Sequence, residues 1–396
     1  MTVSESEAVL ARICPNEIAA LTGALVEAPS ENPGGTEERA VAVLDNACRG
    51  AGFTVTTHEV APGRPNLIAT LPGGDGPGLM ILGHSDVVPA GPGWSADPYQ
   101  ARLVDGMLTG RGAVDMKGGL AAAVAAMSAL APLAAHGGLS GPVQLVCTVD
   151  EEEHGAGVRD LVGRQDTARD FLGCIVAEPT DLLVVRGCRG ASYLEIDIRG
   201  KAAHSGRPDD GRSAIYAAAS IIDIIRADHE SMTSRAGGLL GSGTWNVGTV
   251  SGGQGISVVA PMASLGIDRR LMPDESAHEV AAWLRGRISA AGIDSDGIEV
   301  EVAVTMEMPG FETAADHRLV TAAVDALTTL KVETSVGGWT AACDGGFVSR
   351  DLGIPAIVCG PGNINTQAHQ PDESVAVDDL VTAARAYALV ALELLG

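Results

Sequence analysis

The run Leu79-Met80-Ile81-Leu82 stops at Gly83 and is followed at once by His84, Ser85 and Asp86. Four apolar residues closed by a glycine read as a fully buried strand. The polar residues then lie just past its carboxyl end. The same arrangement recurs along the chain. Val143 to Val149 runs straight into Asp150-Glu151-Glu152-Glu153, and Gly173 to Ala177 ends in Glu178-Pro179-Thr180. Ile354 to Cys359 is followed by a loop, 360–373, that carries His369. Helical stretches separate these runs, among them the Ala-rich segment Gly118 to Leu133, which Asp115 opens. Buried strands alternating with helices predict an α/β fold, a mainly parallel sheet covered by helices on both faces. In such a sheet the strands' carboxyl ends share one rim, and ligands sit there.

A second pattern interrupts the first. Ser192 to Ile198, Thr244 to Val250, Met262 to Leu271 and Ile298 to Met306 read as strands, with helices over Ser213 to Asp228 and Ser276 to Ala290. The order β-α-β-β-α-β is the ferredoxin-like one. It predicts an inserted α+β domain over 190–308, with a discontinuous first domain over 1–189 and 309–396.

The chain has 396 residues and a net charge of −24, which argues against nucleic acid and against an anionic membrane surface as partners. Aromatic residues are only 3%, so the core must be built from Ala, Val, Leu and Ile. The longest apolar stretch, Leu120 to Ala135, contains Pro132 and reads as too short for a membrane span. Seven cysteines, an odd number with no C-x-x-C spacing, fit free thiols in a reducing cytoplasm. The acidic first residues lack a signal-peptide pattern.

The polar groups at the predicted rim make a set. His84, Asp115, Glu152, Glu178 and His369 combine imidazole with carboxylate, donors that suit zinc and its divalent neighbours. Two imidazoles and three carboxylates exceed what one tetrahedral ion needs. They match two ions sharing a carboxylate, which clamp a water, lower its pKa and polarise a carbonyl. Glu151, beside Glu152 on a non-helical segment, faces another way and can serve as general base. Asp86 shares a face with His84 and can orient its ring.

At these residues the chain resembles a known family. Gly83-His84-Ser85-Asp86-Val87-Val88-Pro89, Gly110-Arg111-Gly112-Ala113-Val114-Asp115-Met116-Lys117-Gly118, Asp150-Glu151-Glu152, Ala177-Glu178-Pro179 and Ala368-His369-Gln370-Pro371-Asp372-Glu373 resemble the M20 metallopeptidases. The branch with acetylornithine deacetylase and succinyl-diaminopimelate desuccinylase looks nearest. The resemblance implies a hydrolase with two divalent ions, zinc first and cobalt as the alternative, and a lid domain through which it forms a homodimer. It gives metal roles to His84, Asp115 (bridging), Glu152, Glu178 and His369, the base to Glu151 and ring orientation to Asp86. Ala202-Ala203-His204-Ser205-Gly206 matches the segment whose His holds the oxyanion in the partner's site. Arg189 and Arg270 correspond to contacts with a substrate carboxylate, which an arginine fork suits, and Asn246 and Asn365 are further substrate contacts. Ala342 replaces a hydroxyl residue of the desuccinylase pattern, which weighs against that activity.

The expected function is removal of an acyl group from a small N-acyl amino acid. The rivals are an M20 carboxypeptidase or dipeptidase acting on short peptides, and a non-catalytic metal-binding protein of the same fold.

Overall fold

A computed structural model describes residues 3–164 and 170–396. The chain divides into two compact units: 1–187, 312–338 and 344–396 in the first, 188–311 and 339–343 in the second.

At the centre of the first unit four strands run parallel, in the order Val143–Thr148, Gly78–His84, Phe171–Val176, Ala356–Val358. Gly78–His84 is buried along its whole length, as its unbroken apolar run requires. Thr54–Ala61 and Arg64–Leu71 extend one edge antiparallel, and Val184–Cys188 pairs antiparallel at the other. The sheet is therefore parallel where the predicted rim residues arise and antiparallel outside it.

The Ala-rich helix is Gly118–Ala135, with Gly118 to Ala123 fully inside the core. Small residues let it lie close to the sheet: a Cβ on Gly119 would stand 2.2 Å from the carbonyl oxygen of Ala177. Together with the distorted turn before it, Ala113–Lys117, the helix makes a segment, Ala113–Ala135, that is apolar and long enough to cross a membrane by length and composition alone. Its side chains are instead taken up by the core, where Leu120, Met127 and Leu130 pack with Leu380, Ala384 and Tyr387 of the closing helix Val377–Leu395.

Other expectations need correction. The helical periodicity over residues 7 to 27 belongs to two helices, Val3–Leu10 and Pro15–Val26. Pro15 takes the first position of the second, where its missing N–H costs nothing. Gly337 and Gly338, expected in a loop, lie in a strand, Val336–Trp339. A three-stranded sheet of Arg102–Val104, Met107–Thr109 and Ser374–Ala376 went unread, because three-residue strands carry no period.

In the second unit four antiparallel strands run in the order Thr244–Gly252, Met262–Leu271, Gly190–Arg199, Glu299–Met308. Gly190–Arg199 alternates buried and exposed along most of its length. Leu194, Ile196 and Ile198 pack with Ile221 and Ile225 of the helix Ala214–Ser234 and with Leu284 and Ile288 of Ala277–Ala290. Chain order and strand order together are those of a ferredoxin-like layer.

Candidate metal centre

His84 is the last residue of its strand and is 1% exposed. The chain packs closely at Gly83, where a Cβ would meet the Met116 methyl at 2.5 Å. The ring Nδ1 lies 3.0 Å from the Asp86 carbonyl oxygen and 3.5 Å from its carboxylate. The main chain of Asp86 thus orients the imidazole more closely than the predicted carboxylate does. That carboxylate accepts from the Asn32 side-chain amide (2.9 Å) and from the backbone N–H of Glu151 (3.2 Å) and Glu152 (3.1 Å). It fixes the turn that follows the neighbouring strand.

Asp150 shapes the same turn. Its φ of 67° reverses the chain, a conformation Asp tolerates better than most residues. Its carboxylate accepts from Asn32, Arg64 and the Ala156 N–H. Arg64 is also paired with buried Glu37. Beyond this anchored corner Glu151 and Glu152 diverge.

Asp115 does not begin a helix. Its backbone is extended (φ −113°, ψ 95°) inside a distorted turn, Ala113–Lys117, and the regular helix starts at Gly118. The carboxylate is divided between two imidazoles. Asp115 Oδ1 lies 3.3 Å from His84 Nε2, and Oδ2 lies 3.4 Å from His369 Nε2. Glu178 Oε1 stands 3.3 Å from His84 Nε2, and Glu152 Oε2 stands 3.3 Å from His369 Nε2. The five side chains predicted from distant parts of the sequence therefore form two imidazole–carboxylate groups joined through Asp115. A Glu151 oxygen lies within 4.8 Å of donor atoms of His84 and Glu178.

Two observations test whether this set suits metal. Among the described residues, buried His84 Nε2 and Glu152 Oε1 have no hydrogen-bond partner, and such atoms carry a desolvation penalty unless something fills the space between them. The 3.3–3.4 Å separations also match the edge of a tetrahedron, about 3.3–3.6 Å for ligand bonds of ~2.0–2.2 Å. The residues fit two divalent ions.

The electrostatics agree. Burial pushes the Glu178 carboxyl up to about 7, with Asp115 adding to the effect and His84 opposing it. Burial and Asp115 raise Glu152, while burial, Glu178 and Asp344 hold Glu151 well above the ordinary carboxylate range against the pull of His84. Burial also acts on Asp115, but His369 and His84 outweigh it and hold that carboxyl low. Hydrogen bonding to Asp115 and Glu152 lifts His369 to about 10.

These directions predict a pH dependence for the metal-free protein. Folded Glu178 and His369 both keep protons that the unfolded chain releases at lower pH. Stability therefore falls as pH rises, through about 7 for Glu178 and about 10 for His369. The melting temperature of chelated protein should drop between about pH 5 and 7, above which buried Lys117, its pKa lowered to about 7, opposes His369; a divalent ion should flatten the profile by displacing the protons. A rise over that range in chelator would contradict the assignment.

Asp344 is a site neighbour that the sequence did not flag. It is 3% exposed, its Oδ2 lies 2.6 Å from the Thr148 hydroxyl, and burial raises its pKa to about 7. Nothing in Asp344-Gly345-Gly346 marks it as more than a helix start.

The remaining predicted residues are Asn365 in the first unit and Arg189, Asn246, Arg270 and His204 in the second. Asn365, exposed, donates its N–H to the Asn363 side chain. Arg189 donates to the Leu240 carbonyl, Arg270 pairs with Asp268 at 3.0 Å, and Asn246 faces Asp268 across the strands. Burial and the Arg270 charge both lower the Arg189 pKa, so two cations stand near each other. His204 is exposed, and its Nδ1 accepts from the Gly206 N–H.

Such a rim on an α/β sheet defines a candidate two-metal hydrolase. The sequence profile of the peptidase family M20/M25/M40 matches residues 80–393, and the chain belongs to that family of hydrolases of amide and peptide bonds. It is 32% identical to a succinyl-diaminopimelate desuccinylase of Gluconacetobacter diazotrophicus, over 97% of this chain and 99% of that one. It is 31% identical to an acetylornithine deacetylase of Vibrio vulnificus, over 83% of this chain and 84% of that one. Its fold matches the crystal structure of the Bacillus subtilis YXEP protein, described as a dinuclear metal binding peptidase from the M20 family. There the TM-score is 0.73 at 18% identity, covering 96% of this chain and 98% of that one.

Proposed function

We propose that the protein is a two-metal amidohydrolase that removes the acyl group from a small N-acyl amino acid, in the manner of acetylornithine deacetylase. The observation that carries this reading is the division of the Asp115 carboxylate, one oxygen toward each imidazole. His84, Glu178 and Asp115 would hold one ion, and His369, Glu152 and Asp115 would hold the other. The ions, zinc or in its place cobalt, supply Lewis acidity toward the amide carbonyl and lower the pKa of water.

The chain's own residues do the rest. Glu151 lies within 4.8 Å of the His84 and Glu178 donor atoms, and we assign it the base role: its carboxylate takes a proton from the attacking water and delivers it to the leaving nitrogen. The Asp86 carbonyl and carboxylate keep His84 and the Glu151–Glu152 turn in place. In the second unit, which we read as lid and dimerisation domain, His204 supplies the oxyanion donor to the partner's site. Arg189 and Arg270, with Asn246 and Asn365, hold the carboxylate end of the substrate. Exposed Ile215, Tyr216, Ile256 and Val258 line one groove of that unit, an apolar surface that supports pairing with a second copy. A cytoplasmic location accords with seven free cysteines, six of them buried.

The test is hydrolysis of a panel of N-acetyl and other N-acyl amino acids, dipeptides and short peptides with zinc or cobalt, with particle mass read on the same preparation. The expected result is faster cleavage of an N-acyl amino acid than of any dipeptide, by a dimer. Preference for a dipeptide replaces the deacylase reading with the peptidase one. No cleavage of any amide by the metal-loaded protein overturns both.

A further inference from the structure

The carboxylate of Glu373 is 0% exposed and lies four residues beyond His369. Its chain position is set by the short strand Ser374–Ala376, which pairs with Met107–Thr109, so the Glu373 carbonyl accepts from Gly110 N–H at 2.9 Å. The side chain reaches the next turn. Oε2 accepts from Arg111 Nη1 (2.6 Å) and Gly112 N–H (3.0 Å), and Oε1 accepts from Val114 N–H (2.8 Å) and Asp115 N–H (3.0 Å). An ionised carboxylate has about four acceptor positions, and all are taken. Gly112 makes the convergence feasible. Its φ is 83°, and a Cβ there would meet Val87 at 2.6 Å.

We propose that Glu373 is a positioning residue that sets the distance between Asp115 and His369, and with it the second metal subsite. This rests on the metal reading above. One side chain gathers the N–H groups of the turn that presents Asp115, while its own segment presents His369. The Gln367 side chain closes that segment by accepting the Ser374 N–H at 3.0 Å. Glutamine at 373 would turn an NH2 toward N–H donors and leave two of them without an acceptor. The Asp115 turn would then lose its tether to the loop carrying His369.

The test uses metal-free full-length protein titrated with cobalt(II), following heat and the visible spectrum, with melting temperature measured before metal is added. Glu373→Gln is compared with Leu327→Ala, a core truncation that lowers stability without touching the rim. The unchanged protein should bind two ions. Glu373→Gln should bind at least one of them about tenfold more weakly, and Leu327→Ala should bind both normally. Should Glu373→Gln not fold, Glu373→Asp is read by the same criterion. The proposal is overturned if the folded Glu373 variant binds both ions within about threefold of the unchanged protein, or if Leu327→Ala loses as much affinity. Fewer than two ions on the unchanged protein would instead overturn the metal reading, and this inference with it.

Discussion

Replacing Glu151 by Gln should lower turnover of the best amide substrate by about 10²–10⁴-fold while the divalent metal remains bound, the range expected when a positioned general base is removed. The substitution changes little else. The Glu151 backbone N–H is held by Asp86, and the proposed ligand Glu152 is separately held through its own N–H. Glutamine preserves the shape of the side chain but cannot take a proton. The comparison to make is turnover against metal content on one preparation. Near-normal turnover with metal in place would remove Glu151 from the mechanism and leave the metal centre standing.

Asp115→Asn should have an effect at least as large, by another route. Asp115 faces both imidazoles, and each of its oxygens serves one of them. An amide keeps one oxygen and turns a donor toward the other group, so one ion should be lost. A two-ion clamp contributes several kcal/mol to the transition state, and at 1.36 kcal/mol per tenfold its loss is about 10³ or more in rate. Elemental analysis should find close to one ion per chain where the unchanged protein has two. Two tightly held ions in the Asn variant would mean that Asp115 is not shared.

Much of this site was legible because its chemistry follows buried strands in the sequence. His84 directly succeeds an apolar run, Glu178 another, and Glu151 and Glu152 a third, so the sheet alone brings them to one rim. His369 could be placed only as a loop residue; its φ of 62° and its approach to Asp115 carry no mark in residue type. Asp115 was read as a helix start because an acid before a helix satisfies ordinary capping logic. The competing force was its own backbone N–H, which is taken by Glu373. Glu373, Asp344 and Asn32 carry no readable role in the sequence for a common reason. Their partners are mostly main-chain N–H groups or other loop side chains, and such contacts leave neither period nor spacing. The same limit hid the short strands around Met107–Thr109, while the ferredoxin-like layer was plain because Gly190–Arg199 alternates.

The central claim is that side chains from five distant points of the chain hold two cations on either side of one carboxylate. Anomalous diffraction at the zinc edge from metal-loaded crystals tests it most directly. Two peaks per chain are predicted, one among His84, Asp115 and Glu178 and one among His369, Asp115 and Glu152. A single peak, or peaks away from Asp115, would contradict it.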